Sequence, residues 1–302
     1  MATPQLPAEA HAVEVDDTFE NDSAYSDDYQ TFTTSLTSRV TDYKIHHGRR
    51  FHAYMEGKYP FPNDETEQNR LDLIHESMKL MLGGKLVLVP FKGEGRVLDL
   101  GTGTGIWAIE AGENWEAATI LGNDLSPIQP RWTPPNVSFE VDDIEDLWAF
   151  PTTNTNNGGW VEMQDWDTTA RCRDGSIRPD NNVAKYQSLC TEACEKIGRT
   201  ANPGPALRHA MEAAGYKNVQ ERIFKLPSGL WPKDKTLKRM GAFNMLQYLE
   251  ALEIGAFHLF VQALGWSMEE VQVFIAKVRQ NAKDKNTYIY YDYYVVYGQK
   301  LD

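Results

Sequence analysis

Residues 97–105 read Val97-Leu98-Asp99-Leu100-Gly101-Thr102-Gly103-Thr104-Gly105. The apolar run from Arg96 to Leu100 predicts a strand, and Gly101 to Gly105 a glycine-rich turn. Ile106 to Ala111 then opens a helix. Glycine is needed where the backbone turns sharply and meets a ligand with no Cβ in the way. A helix starting there offers unpaired N–H groups and a partial positive charge, which suits an anionic or carboxylate-bearing ligand. Two familiar ligand classes are disfavoured by spacing. A dinucleotide loop wants glycine or alanine three residues after its second glycine, and that position is Ile106. A phosphate loop needs Gly-Lys-Ser/Thr, which is absent here.

Two more strands are predicted downstream. Ala118 to Gly122 ends at Asn123-Asp124, and Asn136 to Val141 ends at Asp142-Asp143. Strand, helix, strand at this spacing is the signature of a parallel sheet, so the fold class is α/β and Rossmann-like. Open α/β sheets bind ligands at the C-terminal ends of their strands. Asp124 stands at such an end, about twenty residues past the glycines, where a carboxylate accepts hydrogen bonds from ribose hydroxyls. Asp143 and Ile144 stand at the next one.

On the N-terminal side, Asp64 is placed to cap a helix with Glu67 in a capping box. Leu71, Ile74, Met78, Met81 and Leu82 recur at helical spacing, and Gly83-Gly84 ends the run. On the C-terminal side, Trp160 to Met163 predicts a short strand running into Gln164-Asp165-Trp166-Asp167. Val183, Tyr186, Cys190, Ala193 and Ile197 predict a helix with one apolar face. Pro205 to Ala214 and Asp234 to Leu264 predict further helices, with a strand from Tyr216 to Leu226 between them. Ser267 and Glu270 form a second capping box before another helix. The aromatic, β-branched run Tyr288 to Tyr297 reads as a buried strand.

The chain has 302 residues, 41 % of them hydrophobic, with a formal net charge of −13. That balance disfavours direct nucleic-acid binding and docking on anionic membrane. Residues 1–42 carry Glu9, Glu14, Asp16, Asp17, Glu20, Asp22, Asp27 and Asp28 with few apolar residues, and predict an acidic disordered tail. Residues 43–302 form the expected folded domain, a helical arm over 43–90 and the core over 91–302. No secretory signal is visible. The three cysteines, Cys172, Cys190 and Cys194, have no disulfide or metal spacing, so packing is the expected role and no metal site is expected. A cytoplasmic protein, with the nucleus open, is the expectation.

The chain resembles the fungal methyltransferases related to the LaeA regulator of secondary metabolism. The resemblance rests on Gly48-Arg49-Arg50-Phe51-His52, on Tyr59-Pro60-Phe61-Pro62-Asn63-Asp64-Glu65, and on Glu67-Gln68-Asn69-Arg70-Leu71-Asp72-Leu73 with His75. It continues through Leu98 to Trp107, Asp124-Leu125-Ser126-Pro127-Ile128-Gln129-Pro130, Pro134-Pro135-Asn136-Val137 and Gly158-Gly159-Trp160-Val161-Glu162. It implies a class I methyltransferase fold using S-adenosylmethionine, with an N-terminal arm over the cofactor. In that family Asp99 would help hold the amino-acid end, and Asp143 and Ile144 would meet the adenine. The implied cofactor set is Asp99, Gly101, Thr102, Gly103, Gly105, Asp124, Leu125, Asp143 and Ile144. A small-molecule methyl acceptor, or a regulatory protein partner in a chromatin-linked role, is implied as well. Candidates for a general base are His52, His75, Glu162 and Asp165, and none is assigned.

One departure stands out. Members of that family carry a further strand and helix before the Gly-Gly-Trp segment, whereas Asp143 and Gly158 are only fifteen positions apart and Pro151 to Asn157 reads as loop. The fourth strand, normally beside the first, is therefore expected to be missing. The loop from Leu147 to Asn157 spans at most about 35 Å at about 3.3 Å per residue, long enough for the Trp160 strand to pair with the first. Coding sequence lost near Pro151 and a natural variant with weakened catalysis both fit.

Overall fold

The computed structural model describes residues 43–46, 48–52, 61–142 and 155–301. The acidic tail, Asp143, Ile144, Tyr59, Pro60 and residues 151–154 lie outside the described residues. The described chain forms two compact units, one of residues 43–75 and 92–142, the other of residues 76–91 and 155–301.

The first unit begins with a ribbon absent from the sequence reading. Strands β1 (Tyr43–His46) and β2 (Arg49–His52) pair antiparallel about Gly48. Helix α1 (Glu65–Met81) follows, its last turns counted with the second unit. Asp64 caps it as expected, accepting the Glu67 N–H at 3.1 Å. Asp64 also takes a two-pronged contact from Arg49, which ties the ribbon to the helix start. Glu67 does not complete the capping box. Its side chain is 1 % exposed and pairs with buried Arg70, because a buried carboxylate needs a charged partner more than the helix end needs a second bond. Gly83 and Gly84 close α1 with positive φ, Gly84 donating to the Lys79 carbonyl.

The parallel sheet is built from β3 (Glu94–Leu100), β4 (Ala117–Asp124) and β5 (Val137–Val141) in the order β3-β4-β5. Helix α2 (Ile106–Asn114) makes the crossover from β3 to β4. The Asn136 amide donates to the carbonyls of Gly112, Trp115 and Ala118, fastening the end of α2 to the start of β4.

The second unit holds an antiparallel sheet of β6 (Trp160–Arg171), β7 (Lys217–Pro227) and β8 (Tyr290–Gln299) in the order β6-β8-β7. Strand β6 is three times the length read from sequence, and the acidic run Gln164 to Asp167 lies inside it. Asp165 pairs opposite Tyr294 and Trp166 opposite Tyr293. The aromatic C-terminal run is the central strand, as its composition implied. Helices α3 (Asn182–Lys196), α4 (Leu207–Ala213), α5 (Lys235–Ala256) and α6 (Met268–Ala282) complete the unit. Ser267 and Glu270 form the expected capping box of α6. Alpha-helical geometry ends at Ala256, and residues Phe257–Val261 continue as a π turn. The core joins Val183, Tyr186, Leu252, Phe260, Phe274 and Tyr291. Ile197, expected on the apolar face of α3, caps its end and is exposed.

Among the described residues each of these two sheets has three strands; β3 pairs only with β4, and β6 only with β8. Leu98, in the middle of β3, is 47 % exposed.

Candidate functional site

The glycine-rich turn leaves β3 at Leu100 and enters α2 at Ile106. Gly103 and Gly105 both take left-handed φ, +56° and +80°, a region that costs any residue with a Cβ. Gly105 has a second constraint, since a Cβ there would lie 2.6 Å from the Phe139 ring. That ring, on β5 opposite Gly122, also packs where a Cβ on Gly122 would stand. The loop is thus pressed onto the sheet through an aromatic ring that only glycines accommodate. A Cβ on Gly101 would meet only open space, so the turn leaves an open cradle there.

Gly105 is the N-cap of α2 and has no side chain with which to cap the helix start. The first N–H groups of a helix have no acceptor within it, so this end retains its anion-binding capacity.

The carboxylates converge on this turn. Asp124 Oδ2 accepts the Gly103 N–H at 2.8 Å and Oδ1 accepts the Ser126 N–H at 2.9 Å. Thr102 N–H donates to the Asn123 carbonyl, and the buried Asn123 Oδ1 has no hydrogen-bond partner among the described residues. The Thr102 hydroxyl donates to Asp99 at 2.6 Å. Burial pushes the Asp99 carboxyl up to about 6; the Thr102 bond opposes the rise and the charge of Asp124 adds to it. Among the described residues Asp99 has no cationic partner, a condition a positively charged ligand group would relieve. Leu125 lies beside Asp124, partly exposed. Asp99, Gly101, Thr102, Gly103, Gly105, Asp124 and Leu125 are therefore brought to one turn and one strand end. Asp143 and Ile144 lie outside the described residues.

Three residues with no role in the sequence reading also build the turn. Gln129 Nε2 donates to the Gly103 carbonyl at 2.7 Å and to the Ser126 carbonyl at 2.9 Å. The Thr104 hydroxyl donates to Asp72 of α1 at 2.7 Å. Gln129 and Asp72 were visible as parts of family motifs, but spacing alone could not show that they reach the turn.

The four base candidates fall in different settings. His75 Nε2 lies 3.3 Å from Glu110 on α2. The side chain of His52 lies outside the described residues. Glu162 accepts the N–H groups of Leu88 and Val89 at 2.7 and 2.9 Å, and the amide of Gln164 at 2.7 Å. Burial raises its pKa while those bonds pull it down. This makes Glu162 an anchor for a backbone turn. Asp165, raised by burial, accepts the N–H of Trp166.

Cys190 and Cys194 sit on α3, partly buried. Burial pushes the Cys190 thiol up to about 12, against a hydrogen bond with Tyr186, so it carries no thiolate near neutral pH.

A parallel strand-turn-helix-strand unit, with glycines at the turn and carboxylates at two strand ends, defines a Rossmann-like nucleoside-binding domain of the methyltransferase type. A model of the methyltransferase domain matches residues 73–155, spanning this whole turn. The methyltransferase pytC of Aspergillus terreus is 39 % identical, over 90 % of this chain and 93 % of its own. The secondary metabolism regulator laeA of Monascus pilosus is 31 % identical over 80 % and 74 %. The regulator LAE1 of Cochliobolus heterostrophus is 29 % identical over 82 % and 91 %. The chain belongs to this family of fungal methyltransferases and LaeA-type regulators. It is a methyltransferase of the class that uses S-adenosylmethionine as methyl donor. The pytC alignment runs over 300 positions yet holds 90 % of the 302 residues. The relative therefore carries residues with no counterpart here, in keeping with the shortened stretch before Trp160.

Among the described residues no helix is long and apolar enough to cross a membrane.

Proposed function

We propose that this chain methylates a small-molecule acceptor of fungal secondary metabolism, in the cytoplasm or nucleus. The cofactor would be held by Asp99, Gly101, Thr102, Gly103, Gly105, Asp124, Leu125, Asp143 and Ile144. The observation that carries the reading is the uncapped start of α2 behind a glycine turn that Asp124 closes. In this assignment the α2 start and the open face at Gly101 would receive the carboxylate of the methionine part, Asp99 its ammonium and Asp124 the ribose hydroxyls. When bound, the cofactor would supply a sulfonium-activated methyl group for an acceptor atom that provides the electron pair. The protein's work is to hold the two in line, where proximity supplies most of the acceleration. Relatives named for methylation and for regulation of secondary metabolism support the metabolic setting.

A second reading has one observation in its favour. Strand β3 is an edge with Leu98 exposed, so a wall the fourth strand usually supplies is lacking. On this reading the chain binds the cofactor without turnover and acts with a regulatory protein partner. Incubation with methyl-labelled S-adenosylmethionine and a fungal extract separates the two. Label in a small organic product supports the first. Tight binding of S-adenosylhomocysteine with no transfer to anything supports the second.

A further inference from the structure

Helix α1 touches the glycine turn directly. Asp72 Oδ1 accepts the Thr104 hydroxyl, and a Leu71 methyl carbon lies 3.4 Å from where a Cβ on Gly103 would stand. One turn further along, His75 reaches Glu110 on the helix that the glycine turn starts. Residues three and four apart share a helix face, so a single face of α1 contacts both the turn and α2. The start of α1 is fixed in turn: Arg49 grips Asp64, and Arg50 donates to Asn63. Thr104 lies between Gly103 and Gly105, both left-handed, and its hydroxyl points to α1 rather than to a neighbour in the turn.

We propose that Asp72 is a positioning residue for the cofactor, acting through Thr104. A turn flanked by glycines has much conformational freedom to lose when a ligand orders it. The Asp72–Thr104 bond removes part of that freedom before the ligand arrives, and preorganisation of this kind appears as affinity. The ribbon and the first turns of α1 are therefore coupled to cofactor binding. The proposal rests on the reading of the glycine turn as the cofactor site.

The test is a double-mutant cycle of Asp72→Ala and Thr104→Val, with Asp72→Asn as the conservative variant whose amide oxygen still accepts the hydroxyl. Titration calorimetry with S-adenosylhomocysteine reads affinity, and amide hydrogen exchange of residues 103–107 in the ligand-free protein reads the order of the turn. Each single variant is expected to weaken binding roughly three- to tenfold, the range a lost side-chain hydrogen bond gives. The double variant is expected to be no weaker than the weaker single one, since both remove the same bond. Asp72→Asn should recover affinity to within about twofold of wild type. Exchange at the turn should speed up in Asp72→Ala and Thr104→Val alike. Losses that add, an Asn variant as weak as Ala, or unchanged affinity in variants of a wild type that binds, would overturn the proposal alone. A wild type that does not bind overturns the cofactor reading and this proposal with it. Thr104→Val is close to isosteric, so the cycle keeps a folded arm even if Asp72→Ala does not fold.

Discussion

Asp124 Oδ2 accepts the Gly103 N–H at 2.8 Å, joining the end of β4 to the turn that leaves β3. The same carboxylate holds Ser126 N–H with its other oxygen. One side chain thus sets the separation between the two loops of the proposed cofactor site. Asp124→Ala should weaken S-adenosylhomocysteine binding by at least tenfold, because it removes two charge-assisted bonds worth about 1.5–3 kcal/mol each. Calorimetric titration checks this, and an unchanged affinity would remove Asp124 from the site.

Asp99 sets a pH dependence. Its carboxyl is raised from 3.8 to about 6 in the folded chain, mainly by burial. The folded state therefore holds more protons than the unfolded one between those values, and the Asp99 contribution to stability falls as pH rises through that window. Above about 6 the penalty of a buried charge is fully present. A cationic ligand group favours the charged carboxylate, so affinity should be full above about 6 and fall as the pH drops below it. Asp99→Asn should flatten that profile between pH 5 and 7.5. It should also raise the melting temperature of the ligand-free protein at pH 7.

At Gly105 two independent restraints meet: φ of +80° and a Phe139 ring 2.6 Å from where a Cβ would lie. Gly105→Ala should cost about 2 kcal/mol or more, from left-handed strain plus displacement of a ring in a packed layer. Gly101→Ala, with open space at its Cβ, should be milder in stability and severe in cofactor affinity. Urea titration alongside calorimetry separates the two effects. Equal stability losses would contradict the assignment of open cradle to Gly101.

Glu162 serves the backbone at Leu88 and Val89. Replacing it with alanine strands two N–H donors, at a cost of about 2–4 kcal/mol. The expected result is a lower urea midpoint, with Glu162→Gln intermediate because its amide oxygen still accepts from Leu88 and Val89 while its NH2 cannot accept from Gln164. The turnover pH profile of Glu162→Gln should match wild type. A lost acidic limb in that profile, where activity rises as a base deprotonates, would instead make Glu162 the general base.

Much of the fold was legible because its signals are local. Strand, glycine turn, helix and strand are written in Arg96 to Asp124, and the left-handed turn positions carry the only residue type that suits them. Caps at Asp64 and Ser267 were readable for the same reason: three residues suffice to state them. The candidate carboxylates Asp99 and Asp124 were legible because strand ends are where such sheets bind ligands.

Tertiary structure alone decided the rest. Glu67 reads as a capping-box partner, yet burial turns it to Arg70. The run Gln164 to Asp167 reads as the polar end of a short strand, yet pairing with β8 carries β6 on to Arg171. Glu162 reads as a possible base, and hydrogen bonds from 74 and 73 residues away make it an anchor. The sequence led to the expectation that a fourth strand is missing but did not say which partner β6 would take. Loop length left several partners open, and within the second unit β6 pairs with β8 alone among the described strands. Chain reach states which pairings are possible, while the choice among them is made by long-range hydrogen bonds and side-chain packing that no local stretch encodes.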